Sequence, residues 1–223
     1  MTADRYRLVI GNKNTSSWSL RPWLALKAGG IAFTEVRIDL RAPDMKERIL
    51  AHSRAGKVPV LWAGDLMIWD SLAILEYLAE QHPEAGLWPA GPEARAIARA
   101  VAAEMHSGFQ ALREHCPMKI LEQDLKTDFI TPVEVNIRRI VEIWTACRSR
   151  FGAGGPFLFG SFTAADAMYA PVASRFKTYV PDLAAFGDDG TAAAYCEAIF
   201  ALPAMKEWAD GARRETAPER HTA

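Results

Sequence analysis

The chain has 223 residues, of which 50% are hydrophobic and 24% are charged, and its formal net charge is −1 at pH 7. This length and hydrophobic content allow one good core or two small ones, and the balanced charge argues against a general nucleic-acid binder. No apolar run approaches the roughly 20 residues of a membrane span, and the N-terminal residues lack the apolar stretch of a secretory signal. These properties predict a cytoplasmic protein that associates with neither membrane nor nucleic acid.

The three cysteines, Cys116, Cys147 and Cys196, are odd in number and widely spaced, which argues against a disulfide framework. None of them stands in a CxxC or CxH spacing, which argues against a zinc site. We therefore predict that the chain has no metal site and interpret the cysteines as small packing residues.

Hydrophobic periodicity in the first part of the chain predicts alternating strands and helices. Residues 32–40 place Thr34, Val36 and Ile38 on one face and charged residues on the other, which is typical of a half-buried strand. Two apolar runs around Gly64 and Asp65 predict an antiparallel hairpin. The predicted order is β-α-β-α-β-β-α, with elements at residues 5–10, 18–28, 32–40, 43–53, 58–62, 66–69 and 71–82.

A break follows, with three prolines and two glycines between His82 and Pro92, a composition that does not continue a helix. Strand signals fade beyond it. Capping-box sequences at Thr131–Glu134 and Thr163–Asp166 each predict the start of a helix, and we interpret the second box as purely structural. The predicted helices of this part are residues 93–115, 131–150, 163–177, 190–201 and 203–213. The predicted division is an α/β domain (1–82), a linker (83–92) and an all-α domain (93–223).

Several hydroxyls occur where the first predicted strand turns into a helix: Ser16, Ser17 and Ser19. A serine at this place is most often an N-cap, which stabilises a helix by about 1 kcal/mol. Two adjacent hydroxyls exceed what one cap needs, and the free N–H groups of a helix start favour an anion. The alternative is therefore that a hydroxyl donates a hydrogen bond to a thiolate carried by a bound small molecule, with Arg21 adding to the local field.

Two later turns also allow a structural and a functional interpretation. Val58-Pro59 is either an ordinary strand start or a cis bond that leaves the N–H and C=O of Val58 free to pair with a peptide-like ligand. Asp70-Ser71 is either another helix cap or an amino-acid site, in which Ser71 binds the carboxylate and Asp70 binds the ammonium group. His106, on the first long helix after the break, faces the first domain in this scheme and is a candidate for the wall of a substrate pocket.

Together these features resemble the glutathione S-transferase superfamily, and the resemblance covers the chain from about Tyr6 to Ala212. The Ser16-Ser17-Trp18 turn is similar to that of zeta-like, serine-type bacterial members, with Trp18 in place of the zeta cysteine that is linked to maleylacetoacetate isomerisation. The resemblance implies an N-terminal thioredoxin-like α/β domain followed by an all-α helical domain. The features that carry it are the order of the elements, the serine turn, Val58-Pro59, Asp70-Ser71 and the Thr163 box.

The resemblance also implies a function, which is a glutathione S-transferase that conjugates its co-substrate glutathione to a small electrophile and forms a homodimer. The serine that assists the thiol corresponds to Ser16, with Ser17 as second choice. A glutathione-dependent isomerase, peroxidase or dehalogenase, and a non-catalytic binding protein of the same fold, are the alternatives. The implied glutathione contacts are Trp18, Lys57, the backbone of Val58, a cis Pro59, Asp70 and Ser71.

Overall fold

The computed structural model describes residues 5–216. Residues 1–4 of the predicted α/β domain and residues 217–223 of the predicted all-α domain lie outside the described residues. The elements of the first half are β1 (Tyr6–Ile10), α1 (Ser17–Ala28), β2 (Thr34–Arg37), α2 (Met45–Leu50), β3 (Val60–Ala63), β4 (Leu66–Ile68) and α3 (Ser71–Gln81). The strands form one four-stranded sheet with the order β2-β1-β3-β4, in which β1 pairs parallel to β2 and antiparallel to β3, and β3 pairs antiparallel to β4.

The second half consists, between residues 83 and 216, of helices joined by turns and loops, the longest of which is 116–130, with two isolated bridges near Phe157. Its helices are α4 (Pro92–Ser107), α5 (Gln110–His115), α6 (Thr131–Phe151), α7 (Ala164–Tyr179), α8 (Thr191–Ala201) and α9 (Pro203–Thr216). The predicted fold class, a small α/β domain followed by an all-α domain, is confirmed. The predicted linker limits at 83 and 92 stay a prediction. No helix within residues 5–216 is long and apolar enough to cross a membrane.

Helix α1 joins the two halves into one core. It packs on α3 of the first half and on α7 and α9 of the second, and Leu20, Trp23 and Leu24 on it are essentially inaccessible to solvent. Helix α7 is buried all round except at Lys177, as expected for the central helix of a domain. The start of α1 is therefore held where both halves meet.

The predicted long helix 93–115 is wrong, because the chain bends at Gly108-Phe109 and forms α4 and α5 instead. Gly108 has an extended backbone, and a Cβ on it would meet the carbonyl oxygen of Glu104 at 2.7 Å. Phe109 follows in the left-handed region (φ 57°), which a helix cannot continue through. Helical periodicity alone could not locate this bend, because it is decided by backbone geometry at two residues.

Two smaller expectations also fail. Helix α6 begins at Thr131 itself, with Ile130 as the residue before it and no side-chain cap, so the first predicted capping box does not form. The predicted strand 32–40 is shorter and pairs only over Thr34–Arg37, because beyond it Asp39 turns to accept hydrogen bonds from Asn12 and Arg41.

The second capping box forms as predicted and anchors α7. The carboxylate of Asp166, fully buried, accepts hydrogen bonds from the backbone N–H and hydroxyl of Thr163 at 2.7 and 2.8 Å and from the backbone N–H of Leu158 at 3.0 Å. Burial raises the pKa of Asp166 to about 6, so the carboxyl is ionised at neutral pH and can accept all three bonds.

Replacing Asp166 with alanine is expected to lower the free energy of unfolding by about 3 kcal/mol, because it leaves three buried donors without an acceptor. Urea denaturation at pH 7, followed by tryptophan fluorescence, measures this loss. The matched control is Asp189→Ala: Asp189 accepts from the backbone N–H of Thr191 on the surface, and losing one exposed hydrogen bond costs about 1 kcal/mol. Equal losses in the two variants would contradict the special role of the buried box.

Candidate functional site

Strand register brings the three sequence motifs to one end of the sheet. Val9, near the end of β1, pairs with Val60 at the start of β3, and Ile68 at the end of β4 pairs with Leu61. The chain therefore leaves β1 toward the serines, enters β3 from Val58-Pro59 and leaves β4 toward Asp70, all at the same end of the sheet. Residues that are about 50 positions apart in the sequence thus share one surface because antiparallel pairing returns the chain to it.

The hydroxyl of Ser16 does not cap α1. Ser16 Oγ donates to Ser19 Oγ at 2.8 Å, and Ser19 Oγ accepts from the backbone N–H of Gly11 at 3.1 Å. The interpretation of the Ser16 side chain as a helix cap is therefore wrong. Its hydroxyl is used within the turn and holds the end of β1 against the first turn of α1.

The hydroxyl of Ser17 is placed differently. Ser17 Oγ accepts a long hydrogen bond, 3.4 Å, from Nη2 of Arg175, which reaches it from α7. The Arg175 guanidinium is fixed by two backbone carbonyls, those of Cys116 at 2.8 Å and Pro171 at 3.1 Å. Because Ser17 accepts here, its own O–H remains able to donate to an anion beside the positive charge.

A cavity of about 480 Å³ opens next to Ser17, and we call it the serine-arginine cavity. It lies between the serine turn and the helical domain. The negative charge in its wall, Glu114, accepts a hydrogen bond from the Gln110 side chain at 2.7 Å. The lining residues are Thr15, Ser17, Trp18, Gln110, Arg113, Glu114, Pro117, Met118 and Arg175.

Three guanidinium groups, those of Arg21, Arg113 and Arg175, gather around this cavity and the Trp18 ring, and within residues 5–216 none of them forms a salt bridge. Arg21 Nε and Nη1 and Arg113 Nε are buried without a hydrogen-bond partner in that part of the chain. Burial, followed by the charges of the other arginines, lowers the pKa of Arg21 to about 9 and that of Arg175 to about 10. Arg21 and Arg175 therefore stay charged at neutral pH, and an anion bound among the three guanidinium groups would offset the repulsion.

Sequence reasoning named Arg21 but missed Arg113 and Arg175. A signal existed for Arg175, because it stands among the mostly small and apolar residues of α7, where a buried arginine is costly unless its charge has a partner or a function. Arg113 carried no such signal, since α5 is short and mostly polar.

The Val58-Pro59 peptide bond is cis, as the resemblance implied. Pro59 is buried and Val58 is half-buried. Among residues 5–216, no partner is found for the backbone N–H or C=O of Val58. Lys57 is exposed beside it. This short segment therefore offers one donor, one acceptor and one cation at the edge of the site.

Asp70 and Ser71 differ in how their side chains are used. Asp70 caps α3, with Oδ1 accepting from the backbone N–H of Leu72 at 2.9 Å, and its other oxygen lies 3.4 Å from Nε2 of His106. Ser71 Oγ is buried and has no partner among the described residues. A buried hydroxyl without a partner is costly, which makes Ser71 the stronger candidate for a ligand contact.

His106 connects the two parts of the site. Its ring meets the Trp18 ring edge to face, with centroids 5.3 Å apart, and its Nε2 faces Asp70. His106 contacts the serine-arginine cavity through Trp18 and does not belong to its lining. The structure thus brings Ser17, Trp18, His106 and Asp70 into one continuous set of contacts across the two halves.

Comparison with protein families identifies the class. Family models for "Glutathione S-transferase, N-terminal domain" and "Glutathione S-transferase, C-terminal domain" match residues 15–81 and 95–211. The chain belongs to the glutathione S-transferase family, which confirms the resemblance seen in the sequence.

Curated relatives place the chain near the zeta class. A probable maleylacetoacetate isomerase of Caenorhabditis elegans is 36% identical over 110 residues, which cover 49% of each chain. Glutathione S-transferase Z2 of Arabidopsis thaliana is 25% identical over 198 residues, 86% of this chain and 85% of the relative. The chain spans about half the length of several curated relatives that it matches, including the isomerase of Rattus norvegicus (52%).

Solved structures agree on the fold. A glutathione transferase homolog from Burkholderia gl BGR1 with bound glutathione is 22% identical, with a TM-score of 0.68 over 94% of this chain and 98% of that one. Maleyl pyruvate isomerase, a bacterial zeta-class glutathione S-transferase, is 23% identical, with a TM-score of 0.69 over 95% and 100%. At these identities the likeness establishes the fold alone.

Proposed function

We propose that this protein is a glutathione-dependent enzyme that stabilises the glutathione thiolate at the serine turn and delivers it to a small electrophile in the serine-arginine cavity. One observation carries the proposal: the Ser17 hydroxyl lies at the start of α1, beside the charged Arg175, and lines the cavity. A thiolate held there would face any molecule in the cavity directly. Glutathione acts here as a co-substrate, and its sulfur is the nucleophile.

Glutathione would bind at the end of the sheet where the serine turn, Val58-Pro59 and Asp70-Ser71 meet. The unpartnered N–H and C=O of Val58, beside the cis Pro59, suit the cysteinyl peptide, and Lys57 suits the glycine carboxylate. The γ-glutamyl end needs an acceptor for its ammonium group and a donor for its carboxylate, and Asp70 and Ser71 supply these. Trp18 would contribute its backbone N–H, which lies in the first turn of α1.

The helix start and one hydrogen bond are enough to stabilise the thiolate, without a metal or a general base. Lowering a thiol pKa from about 8.5 to about 6.5 requires about 2.7 kcal/mol of preference for the anion. A helix N-terminus contributes up to about 2 kcal/mol, and a charge-assisted hydrogen bond contributes about 1.5–3 kcal/mol. The geometry favours Ser17 over Ser16 for this bond, because the Ser16 hydroxyl already donates to Ser19.

Ser17→Ala is therefore expected to raise the thiol pKa of bound glutathione by about 1–2 units, because it removes one charge-assisted hydrogen bond. Ultraviolet thiolate absorbance against pH measures this directly. Ser16→Ala is the matched control, since it removes a hydroxyl one residue away, and its shift should be less than half as large. A larger shift in Ser16→Ala would reverse the assignment, and no shift in either variant would remove the hydroxyl mechanism.

Ser71→Ala is expected to weaken glutathione binding about 10-fold, the loss of one hydrogen bond to a charged group. It should not lower the free energy of unfolding, because Ser71 Oγ has no partner among the described residues. Calorimetric titration with glutathione and urea denaturation measure the two quantities. A destabilised variant with unchanged glutathione affinity would mean that the hydroxyl has a structural partner and no ligand.

The second substrate is proposed to carry a carboxylate. Arg113 and Arg175 line the cavity without a salt bridge in the described part of the chain, and a carboxylate matches a guanidinium in geometry and charge. This favours one of the alternatives, an isomerase acting on a cis-unsaturated acid, and the relatives named maleylacetoacetate isomerase support it. The thiolate would add to the double bond, the new single bond would rotate, and loss of the thiolate would restore a trans double bond.

Arg113→Gln is expected to raise KM for a maleyl-type acid about 10-fold or more and to leave KM for an uncharged electrophile such as an aryl halide nearly unchanged, because only the acid uses the charge. Steady-state assays with both substrates and saturating glutathione measure this. Arg138→Gln is a matched control, since Arg138 stacks on Phe186, which does not line this cavity. Equal losses for both substrates would argue against a carboxylate site, and glutathione binding without any turnover would favour a binding protein.

A homodimer remains part of the proposal. Leu66 on the edge strand β4 and Trp69 just after it are each 53% exposed. Apolar side chains on an unpaired sheet edge are commonly covered by another chain, which supports a partner at this edge.

A further inference from the structure

The Trp18 side chain is surrounded by positive charge. The guanidinium carbon of Arg21 lies 4.0 Å from the centroid of its ring, and that of Arg113 lies 5.3 Å from it. The edge-to-face contact with His106 completes the surroundings. Trp18 itself is only half-buried and lines the serine-arginine cavity, so filling the core is not its main task.

The Trp18 ring is the contact that the described structure shows for the Arg113 guanidinium at the cavity wall. Arg113 is half-buried, it forms no salt bridge within residues 5–216, and its Nε has no hydrogen-bond partner there. The like charges of Arg21 and Arg175 repel it toward solvent. The face of an indole attracts a guanidinium through its quadrupole, so the Trp18 ring opposes this repulsion without neutralising any charge.

A carboxylate in the place of Trp18 would hold Arg113 equally well but would consume the charge that an anionic ligand needs. An aliphatic residue in the place of Trp18 would leave the Arg113 charge available to a ligand but would not hold the guanidinium in position. The tryptophan does both, because a cation–π contact leaves the guanidinium donors free to bind the ligand.

We propose that Trp18 is the positioning residue of the second-substrate pocket: its ring holds the Arg113 guanidinium so that Arg113 and Arg175 can meet one dicarboxylate together. This inference rests on the proposed carboxylate-bearing substrate. It assigns the side chain of Trp18 to the second substrate, whereas the family resemblance counted Trp18 among the glutathione contacts. The two assignments differ in which ligand is lost when the ring is removed.

The experiment is calorimetric titration of the full chain with maleate, a cis-dicarboxylate that needs no turnover. Trp18→Leu is expected to weaken maleate binding about 5- to 10-fold, and Trp18→Phe, which keeps an aromatic face, less than about 3-fold. In the Arg113→Gln background, Trp18→Leu should have almost no further effect, because the ring acts through Arg113. Glutathione affinity and the thiol pKa of bound glutathione should stay within about 2-fold and 0.3 units of wild type.

Trp62→Leu is the matched control. Trp62 also carries an arginine over its ring, with the Arg7 guanidinium carbon 5.4 Å from the centroid, but it lies on β3 away from the cavity. This variant should bind maleate as wild type does. Circular dichroism and urea denaturation confirm that each variant is folded.

Four outcomes overturn the inference. If Trp18→Leu loses as much maleate affinity in the Arg113→Gln background as in wild type, the ring does not act through Arg113. If Trp18→Leu mainly weakens glutathione, the side chain belongs to the co-substrate. If Arg113→Gln weakens maleate binding but Trp18→Leu does not, the carboxylate site stands and the role of Trp18 falls. If the wild-type protein binds no maleate, both the carboxylate site and the role of Trp18 fall.

Discussion

The site depends on the burial of α1 between the sheet and α7. Leu20, Trp23 and Leu24 anchor this helix in a core shared by both halves, so its first turn cannot shift without disturbing that core. Because α1 and α7 are packed together, the Ser17 hydroxyl on α1 contacts the Arg175 guanidinium on α7 at the site. A hydroxyl from one half and a cation from the other are thereby fixed side by side before any ligand arrives, which is the arrangement that preorganised electrostatic stabilisation requires.

The two halves divide the chemistry between them. The sheet half supplies hydroxyls, helix starts and unpartnered backbone groups, which suit a peptide-like thiol. The helical half supplies Arg113 and Arg175, which suit an anion. Their guanidinium groups, with Arg21, lie close together without a salt bridge in the described structure, and such an arrangement costs folding free energy. Sites of this kind are commonly sustained by the rest of the core because function uses the unbalanced charge.

The serine turn itself shows why neighbouring hydroxyls are not equivalent. Ser16 is consumed by a local bond to Ser19, whereas Ser17 points at charge and open volume. A family correspondence based on the sequence favoured Ser16, and hydrogen-bond geometry favours Ser17. Trp18, the next residue, turns its ring toward Arg21 and Arg113 while its backbone lies in the first turn of α1.

The sequence by itself determined the order of strands and helices, the buried capping box at Thr163 and the three motifs at the site, because periodicity, caps and turn residues act over a few positions. It did not locate the bend at Gly108, which depends on backbone geometry. Only the tertiary structure decided which serine meets a cation, since Ser17 and Arg175 are 158 positions apart. Contacts of that range follow from how whole elements pack, and no local pattern encodes them.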